Sequence, residues 1–218
     1  MPERLALLGD IHANAAALAA VLDAIAVAGI RDAACTGDLV MRGDQPEVCV
    51  SESRSRAWPC VMGNTDRKVI GRPPRDPAHP KALRVGSRAW TTNQLSSESM
   101  AFLAGLPLVA RFALGGVTIV LMHGGPDDPR DAIDADTSNA HLARLVDDLG
   151  APDCIVTGHT HRALVRTAAG CLFVNPGSVG EAIDGDRRPR WAWLEARGGT
   201  LRAHLEVLPP ELATIRTP

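Results

Sequence analysis

The sequence predicts an α/β protein built from two packed β-sheets with helices on the outside. Three observations carry this prediction. The first third alternates apolar strand-like runs with helical patterns, as parallel strands joined by crossover helices do. After Pro107 the period changes, and short apolar runs follow one another across Gly-containing turns, which reads as antiparallel pairing. At 218 residues and 45% hydrophobic composition, the chain is long enough to bury roughly 70% of its unfolded surface. With no internal repeat or linker, residues 1–218 read as a single domain.

The elements follow in order. Leu5 to Leu8 reads as a buried strand, and Asn14 to Ala28 as a helix carrying Leu18, Val21, Leu22 and Ile25 on one face, closed by Gly29. Residues 33–36 give a second strand, Glu47 to Arg56 a second helix and Trp58 to Met62 a third strand. Between Gly71 and Arg88, Pro73, Pro74, Pro77 and Pro80 argue against regular structure. A helix capped by Ser96 or Ser97, with Met100, Leu103 and Leu106 at helical spacing, ends at Pro107. Leu108 to Leu114 and Val117 to Met122 flank Gly115-Gly116, a hairpin pattern. Thr137 to Leu149 is a helix and Cys154 to Val156 a strand; 163–168, 171–174, 191–196 and 201–207 are late antiparallel strands.

Bulk properties exclude several classes. A net charge of −2 and an aromatic content of 3% argue against a nucleic-acid groove or stacking platform as the main function, so nucleic acid is disfavoured as a partner. No apolar run approaches membrane-spanning length, and the start lacks the pattern of a signal peptide, so a soluble, cytoplasmic protein is expected. Five cysteines sit mostly in strand-like runs and are expected to be reduced. A homo-oligomer is left open.

Seven metal-ligand types stand just after apolar runs and beside Gly: Asp10, His12, Asp38, Asn64, His123, His159 and His161. Each has an ordinary structural reading on its own, such as a helix cap, a turn former or a core histidine. Their joint placement at strand exits is what points to one site, because loops from the ends of neighbouring strands converge on one rim of a sheet. Mixed nitrogen and oxygen ligation without thiolate suits Mn, Fe, Co, Ni or Zn, and the residue types leave the choice among them open.

GDIHAN at 9–14, GDLV at 37–40, GNTD at 63–66, HGGP at 123–126 and GHTH at 158–161 resemble, in order, the motifs of the calcineurin-like metallophosphoesterase superfamily. The likeness spans nearly the whole chain. LSSESMAFLAGLP at 95–107 and NPGSVGEAIDGDRRPR at 175–190 resemble its small prokaryotic phosphodiesterase branch. The resemblance implies a four-layer αββα sandwich of two mixed sheets and a site for two divalent transition metal ions, with manganese the first expectation. By motif position, Asp10, His12, Asp38 and His161 would hold one ion, and Asp38, Asn64, His123 and His159 the other, with Asp38 bridging. It further implies hydrolysis of a small phosphoester, a diester in preference to a monoester, by in-line attack of a metal-bridging hydroxide. The alternatives are a Ser/Thr protein phosphatase-like monoesterase and a non-catalytic scaffold of the same fold.

Two departures bear on mechanism. Many members of the superfamily carry a histidine after the Gly-Asn to protonate the leaving group, whereas this chain has Thr65. His79 is then the substitute acid to test, because His141 falls in a predicted helix and His204 in a late strand. GDLVMRGD at 37–44 matches half of the protein phosphatase pattern: Arg42 stands in place of a phosphate-binding arginine, but Met41 replaces the acid before it. Arg67, Lys68, Arg72, Arg75, Lys81, Arg84 and Arg88 face the single acid Asp76 over 67–88, which reads as a solvated loop or as a basic flap over an anionic substrate.

Overall fold

A computed structural model of the chain describes residues 3–73, 75, 76 and 78–212. Pro74 and Pro77, which entered the expectation for the Pro-rich segment, lie outside the described residues. Strand β1 (Glu3–Leu8) is followed by α1 (Ala15–Val27), β2 (Asp32–Cys35), α2 (Pro46–Ser55), α3 (Asn64–Ile70), α4 (Pro80–Leu83), α5 (Arg88–Gln94) and α6 (Ser97–Gly105). Then come β3 (Val109–Leu114), β4 (Val117–Met122), α7 (Asn139–Asp148), β5 (Cys154–Val156), β6 (Leu164–Ala168), β7 (Cys171–Asn175), β8 (Arg190–Arg197) and β9 (Thr200–Val207).

The strands form two mixed sheets, β2-β1-β8-β9 and β3-β4-β5-β7-β6. β1 and β2 run parallel, as do β4, β5 and β7, while the hairpin strands β3 and β6 pair antiparallel at the two edges of the second sheet. Period-two alternation sorts each strand's side chains into layers. Leu5 and Leu7 of β1 point between the sheets toward Ile119, Leu121, Val156 and Val174. Ala6 and Leu8 point the other way, onto Leu18, Val21 and Ile25 of α1, with Val50 of α2 and Leu103 of α6 in the same layer. On the far side, Val120, Met122 and Phe173 meet Leu142, Leu145 and Val146 of α7. The result is the αββα order of layers, and all five cysteines are buried and free.

Three local expectations need correction. The third strand expected at 58–62 is a single bridge between Cys60 and Cys35. Pro59 has no N–H to donate, and the Met62 N–H turns away to the Pro107 carbonyl at 2.8 Å, so the ladder cannot extend. Helix α3 has no counterpart in the sequence reading. The segment 71–88 is also less irregular than its prolines suggest: Pro80 stands at the first position of α4, where its missing N–H costs nothing, and the His79 ring accepts the Lys81 N–H at 3.1 Å. Ser87 caps α5 by accepting the Trp90 N–H.

Glu47 ties α2 to the start of α6. Its carboxylate accepts the Ser96 N–H and the hydroxyls of Ser96 and Ser99, each at 2.9 Å. Burial pushes this carboxyl up, but the three hydrogen bonds outweigh it and hold Glu47 below its ordinary range. A depressed carboxyl contributes stability that is complete above its unfolded pKa of about 4.3 and is lost as pH falls through the lower folded value. Glu47→Ala is therefore expected to lose about 1 kcal/mol or more near neutral pH and less below pH ~4. Denaturant unfolding at both pH values checks this, and an equal loss at both would assign the effect to packing alone.

Candidate metal centre

Every candidate ligand sits just beyond the carboxyl end of a strand or of the Cys60 bridge, where open α/β sheets place their ligands. The loops are stitched to one another by backbone hydrogen bonds. Asp10 N–H donates to Gly37 O and His12 N–H to Asp38 O, both at 2.9 Å, and Gly158 N–H donates to His123 O at 2.7 Å, joining loops of the second sheet. The loop after β7 closes over β1's exit: Val179 N–H reaches Gly9 O at 3.0 Å and Gly180 N–H reaches Asp10 O at 2.9 Å. A Cβ on residue 180 would lie 1.8 Å from the Ile11 carbonyl oxygen, so this closure requires glycine. Gly63 is needed for the same reason, since a Cβ there would fall 2.1 Å from Asp38 Oδ1.

The backbone is strained where the candidate ligands are. Asp10 (φ 52°), His12 (49°), Asp38 (54°), His159 (67°) and His161 (57°) all occupy the left-handed region, although none is glycine. Each such residue costs on the order of 1–2 kcal/mol. Strain of this kind persists where a site dictates side-chain direction.

These turns bring together two buried groups of ligand atoms, one from Asp10, His12 and His161 and the other from Asp10, Asp38 and His123, each mutually within 4.8 Å. His12 Nε2 lies 3.1 Å from His161 Nε2, and His161 Nε2 lies 3.3 Å from Asp10 Oδ1. Two ligands each about 2.1 Å from a shared ion stand roughly 3.0–3.4 Å apart at octahedral or tetrahedral angles. Asp38 faces both groups, with Oδ2 3.6 Å from His12 Nε2 and Oδ1 3.5 Å from His123 Nε2. Asn64 Oδ1 is 3.3 Å from His123 Nε2. His159 stands edge-on to His123 with ring centroids 5.4 Å apart and is only half-buried.

Supporting contacts fix these side chains. The Nδ1 atoms of His123 and His161 bond the carbonyls of Thr36 and Glu181 at 2.7 and 3.0 Å, which leaves each Nε2 for an ion. Asp10 Oδ2 accepts the His159 N–H at 3.2 Å, whereas Asp10 Oδ1 is buried without a hydrogen-bond partner. Asp66 accepts the N–H groups of Asp38, Leu39 and Gly63 at 2.9 Å and that of Val40 at 3.3 Å. Asn175 and Ser178 of NPGS tie the loops together through Gly158 O and Asp10 O, in keeping with a structural reading of that motif.

Burial would raise Asp10, but its pairing with His161, 3.3 Å away, and the charges of the neighbouring histidines bring it down to about 2. Burial lowers His161 and His123, yet the carboxylates around them raise both overall: Asp10 for His161, Asp38 and Asp10 for His123. Burial dominates at His12 and His159, which are both lowered toward the neutral, metal-binding form. Burial and the neighbouring Asp38 push Asp66 up to about 7, against backbone donors that favour the ion. Asp10, Asp38, Asp66 and Glu181 are all buried. Such a concentration of buried acid is costly unless cations neutralise it.

A family model described as the calcineurin-like phosphoesterase superfamily domain matches residues 4–198. The chain belongs to that superfamily. The protein MJ0912 of Methanocaldococcus jannaschii is 31% identical over 199 residues, covering 83% of this chain and 78% of that protein. The crystal structure of a metallophosphoesterase from Sphaerobacter thermophilus superposes with a TM-score of 0.72 at 29% identity, covering 97% of this chain and 96% of the other. Protein PH1004 of Pyrococcus horikoshii shares the fold with a TM-score of 0.77 at 18% identity, over 94% of this chain and 87% of that one.

For this superfamily member, the seven sequence-predicted ligands share one rim, and the remaining predicted residues divide. Arg42 reaches the rim through Glu181, with Nη1 2.6 Å from Oε1 and 2.5 Å from Oε2. Glu181 Oε2 in turn lies 3.7 Å from His12 Nε2 and 3.6 Å from His161 Nδ1. Glu181 was not singled out from the sequence, because it stands in an irregular loop with no periodic pattern or ligand-like spacing. His79 is half-buried as the cap of α4, and none of its hydrogen bonds joins it to the cluster. The Thr65 hydroxyl donates to Val40 O at 2.9 Å and its N–H to Asp38 Oδ1 at 2.7 Å, so Thr65 orders the loop. A cleft of about 250 Å³ lined by Asn64, Arg67, Lys68, Asp128, Pro129 and Arg130 opens beside the site.

Proposed function

We propose that the chain is a dinuclear, divalent-metal phosphoesterase that hydrolyses phosphodiesters carrying good leaving groups. The observation that carries this reading is the convergence of Asp10 Oδ1, His12 Nε2 and His161 Nε2 on strained turns, with pairwise distances of 3.1, 3.3 and 4.0 Å, beside a second group formed with Asp38 and His123. Asp10, His12 and His161 would hold one ion, and Asn64, His123 and His159 the other. Asp38 is the proposed bridge because its two oxygens face histidines of opposite groups, Oδ2 toward His12 and Oδ1 toward His123. When bound, two such ions supply Lewis acidity to phosphoryl oxygens and lower the pKa of a water from 15.7 to about 7. Manganese is the first choice by resemblance, and the diester preference rests on the same likeness.

The chain's own residues then position the ester. The Arg42 guanidinium has five donors and spends only part of them on Glu181, so the rest can take a non-bridging phosphate oxygen. Arg42→Ala is expected to cost roughly 1.5–3 kcal/mol in kcat/KM, the range for hydrogen bonds to charged groups. Metal content should be unchanged, and wild-type kinetics on all substrates would reduce Arg42 to a partner for Glu181.

With the Thr65 hydroxyl committed to Val40 O, no side chain is proposed to protonate the departing oxygen; His79 leaves the proposed set. General acid help is worth about 10²–10⁴-fold, and without it the rate should fall steeply as leaving-group pKa rises. The test is kcat for aryl diesters of graded acidity, alongside aryl monoesters and nucleotides, with the apo chain loaded separately with Mn, Fe, Co, Ni and Zn. A flat dependence would reveal an acid elsewhere, and absence of turnover with every metal would favour a scaffold role.

A further inference from the structure

A second basic concavity lies away from the ligand cluster. It has a volume of about 290 Å³ and is lined by Arg72, Arg75, Lys81, Arg84 and Arg88 together with Ser87 and Ala89. Several arginines elsewhere are matched with acids: Arg4 pairs with Glu195, Arg54 with Glu98, Arg130 with Asp128 and Arg188 with Asp186. Among the described residues, none of the five pocket cations has an ion-pair partner, and no carboxylate lines the pocket. One terminal nitrogen of Arg88 is buried without a hydrogen-bond partner. Burial and the nearby charges of Arg72 and Arg75 also hold Arg88 below its ordinary range. Five like charges in one hollow repel one another, and among the described residues no acid is paired with them.

The walls are built rather than loose. The Ser87 hydroxyl donates to the Lys81 carbonyl at 2.7 Å, and the Asn93 amide donates to the Arg75 carbonyl at 3.0 Å. The pocket is also coupled to the metal rim from two sides. Helix α3 begins at Asn64 and hands the chain to Arg72 just past Ile70, a run of about 10–12 Å at helical rise. The Arg42 N–H donates to the Gly86 carbonyl at 2.8 Å, next to Ser87 of the pocket.

We propose that this pocket binds the phosphate chain of a polyphosphorylated substrate whose scissile ester lies at Asp38 and its neighbours. The proposal rests on the phosphoesterase reading and names its substrate class. The charge fits a di- or triphosphate group, which offers many acceptor oxygens to the guanidinium forks. The volume falls at the lower limit of roughly 300–1,000 Å³ for small-molecule sites, so the pocket suits a phosphate chain better than a whole nucleotide. Nucleic acid is the competing polyanion, and it is disfavoured because, among the described residues, no aromatic side chain lines the pocket for stacking.

The test has two arms on the full-length, metal-loaded protein. In calorimetric titration with inorganic tripolyphosphate at low salt, Arg84→Ser/Arg88→Gln should bind at least about tenfold more weakly than wild type, while Asp38→Asn retains the pocket's affinity. Unchanged binding in the double variant would overturn the proposal. So would displacement of tripolyphosphate by a single-stranded oligonucleotide with affinity that climbs with its length. In the kinetic arm, the double variant should raise KM at least about tenfold for a p-nitrophenyl ester on the terminal phosphate of ATP, with kcat unchanged and bis(p-nitrophenyl) phosphate unaffected. An equal KM rise for both esters would contradict a site for the chain. If wild type hydrolyses neither ester, the phosphoesterase reading and the substrate role fall together, while the titration still decides whether the pocket binds phosphate chains.

Discussion

Replacing Asp38 by Asn is expected to abolish most turnover and to release one of the two ions. The substitution keeps the shape and can keep the carbonyl oxygen that accepts the Thr65 N–H at 2.7 Å, so the loop has a reason to stay folded. What it removes is the charge standing between His12 and His123, 3.6 and 3.5 Å from their Nε2 atoms. Changes in groups that merely support metal ligands cost about 10–100-fold in affinity or activity, and loss of the proposed bridge should exceed that range. Metal content by plasma mass spectrometry and kcat on an aryl diester read the two effects separately. A variant with two ions and undiminished turnover would transfer the bridging role to Asp10, the one residue common to both buried groups.

The second large effect is expected at Asp66, which is not a proposed ligand. Its two carboxylate oxygens accept four backbone N–H groups, including that of Asp38 itself, and it is fully buried. Asp66→Asn replaces one acceptor oxygen with an amide that is itself a donor, so two N–H groups face a donor instead. Each unsatisfied buried donor costs about 1–3 kcal/mol, which makes a loss of roughly 2–6 kcal/mol in unfolding free energy. Because the affected turn carries Asp38, metal affinity should fall as well. Denaturant unfolding of wild type and variant, both metal-loaded and metal-free, measures this. A change below about 0.5 kcal/mol, the range of ordinary surface substitutions, would show that the loop holds its shape without Asp66.

Strands and ligands were legible in the sequence for the same reason: alternation marks where a strand ends, and the ligand types stand at those ends. Leu5 to Leu8, the Gly115-Gly116 hairpin and the helix around Leu142 all follow from periodicity and turn chemistry. The misses follow from competition among signals. Pro59 leaves Trp58 to Met62 looking like a strand while denying it a donor, and α3, only 7 residues from Asn64 to Ile70, is too short to show an apolar period. In 71–88, proline argued against helix although Pro80 occupies the one helical position that tolerates it.

Other features had no local sequence trace. Left-handed backbone at Asp10, His12 and Asp38 is imposed by loops packed against one another; Asp and His tolerate that region better than most residues, but the residue type alone does not require it. Glu181 reaches His12 and His161 only because Gly180 lets its loop close on Ile11. The basic stretch was visible as composition, but only the tertiary arrangement shows that five of its cations share one hollow.

The rim is proposed to hold two ions. The most direct measurement of this is anomalous diffraction at the manganese edge from crystals grown with Mn²⁺. Two peaks about 3.5–4 Å apart are expected, one beside Asp10, His12 and His161 and one beside Asn64 and His123, with Asp38 between them. A single peak, or none at this rim in crystals that take up manganese elsewhere, would contradict it.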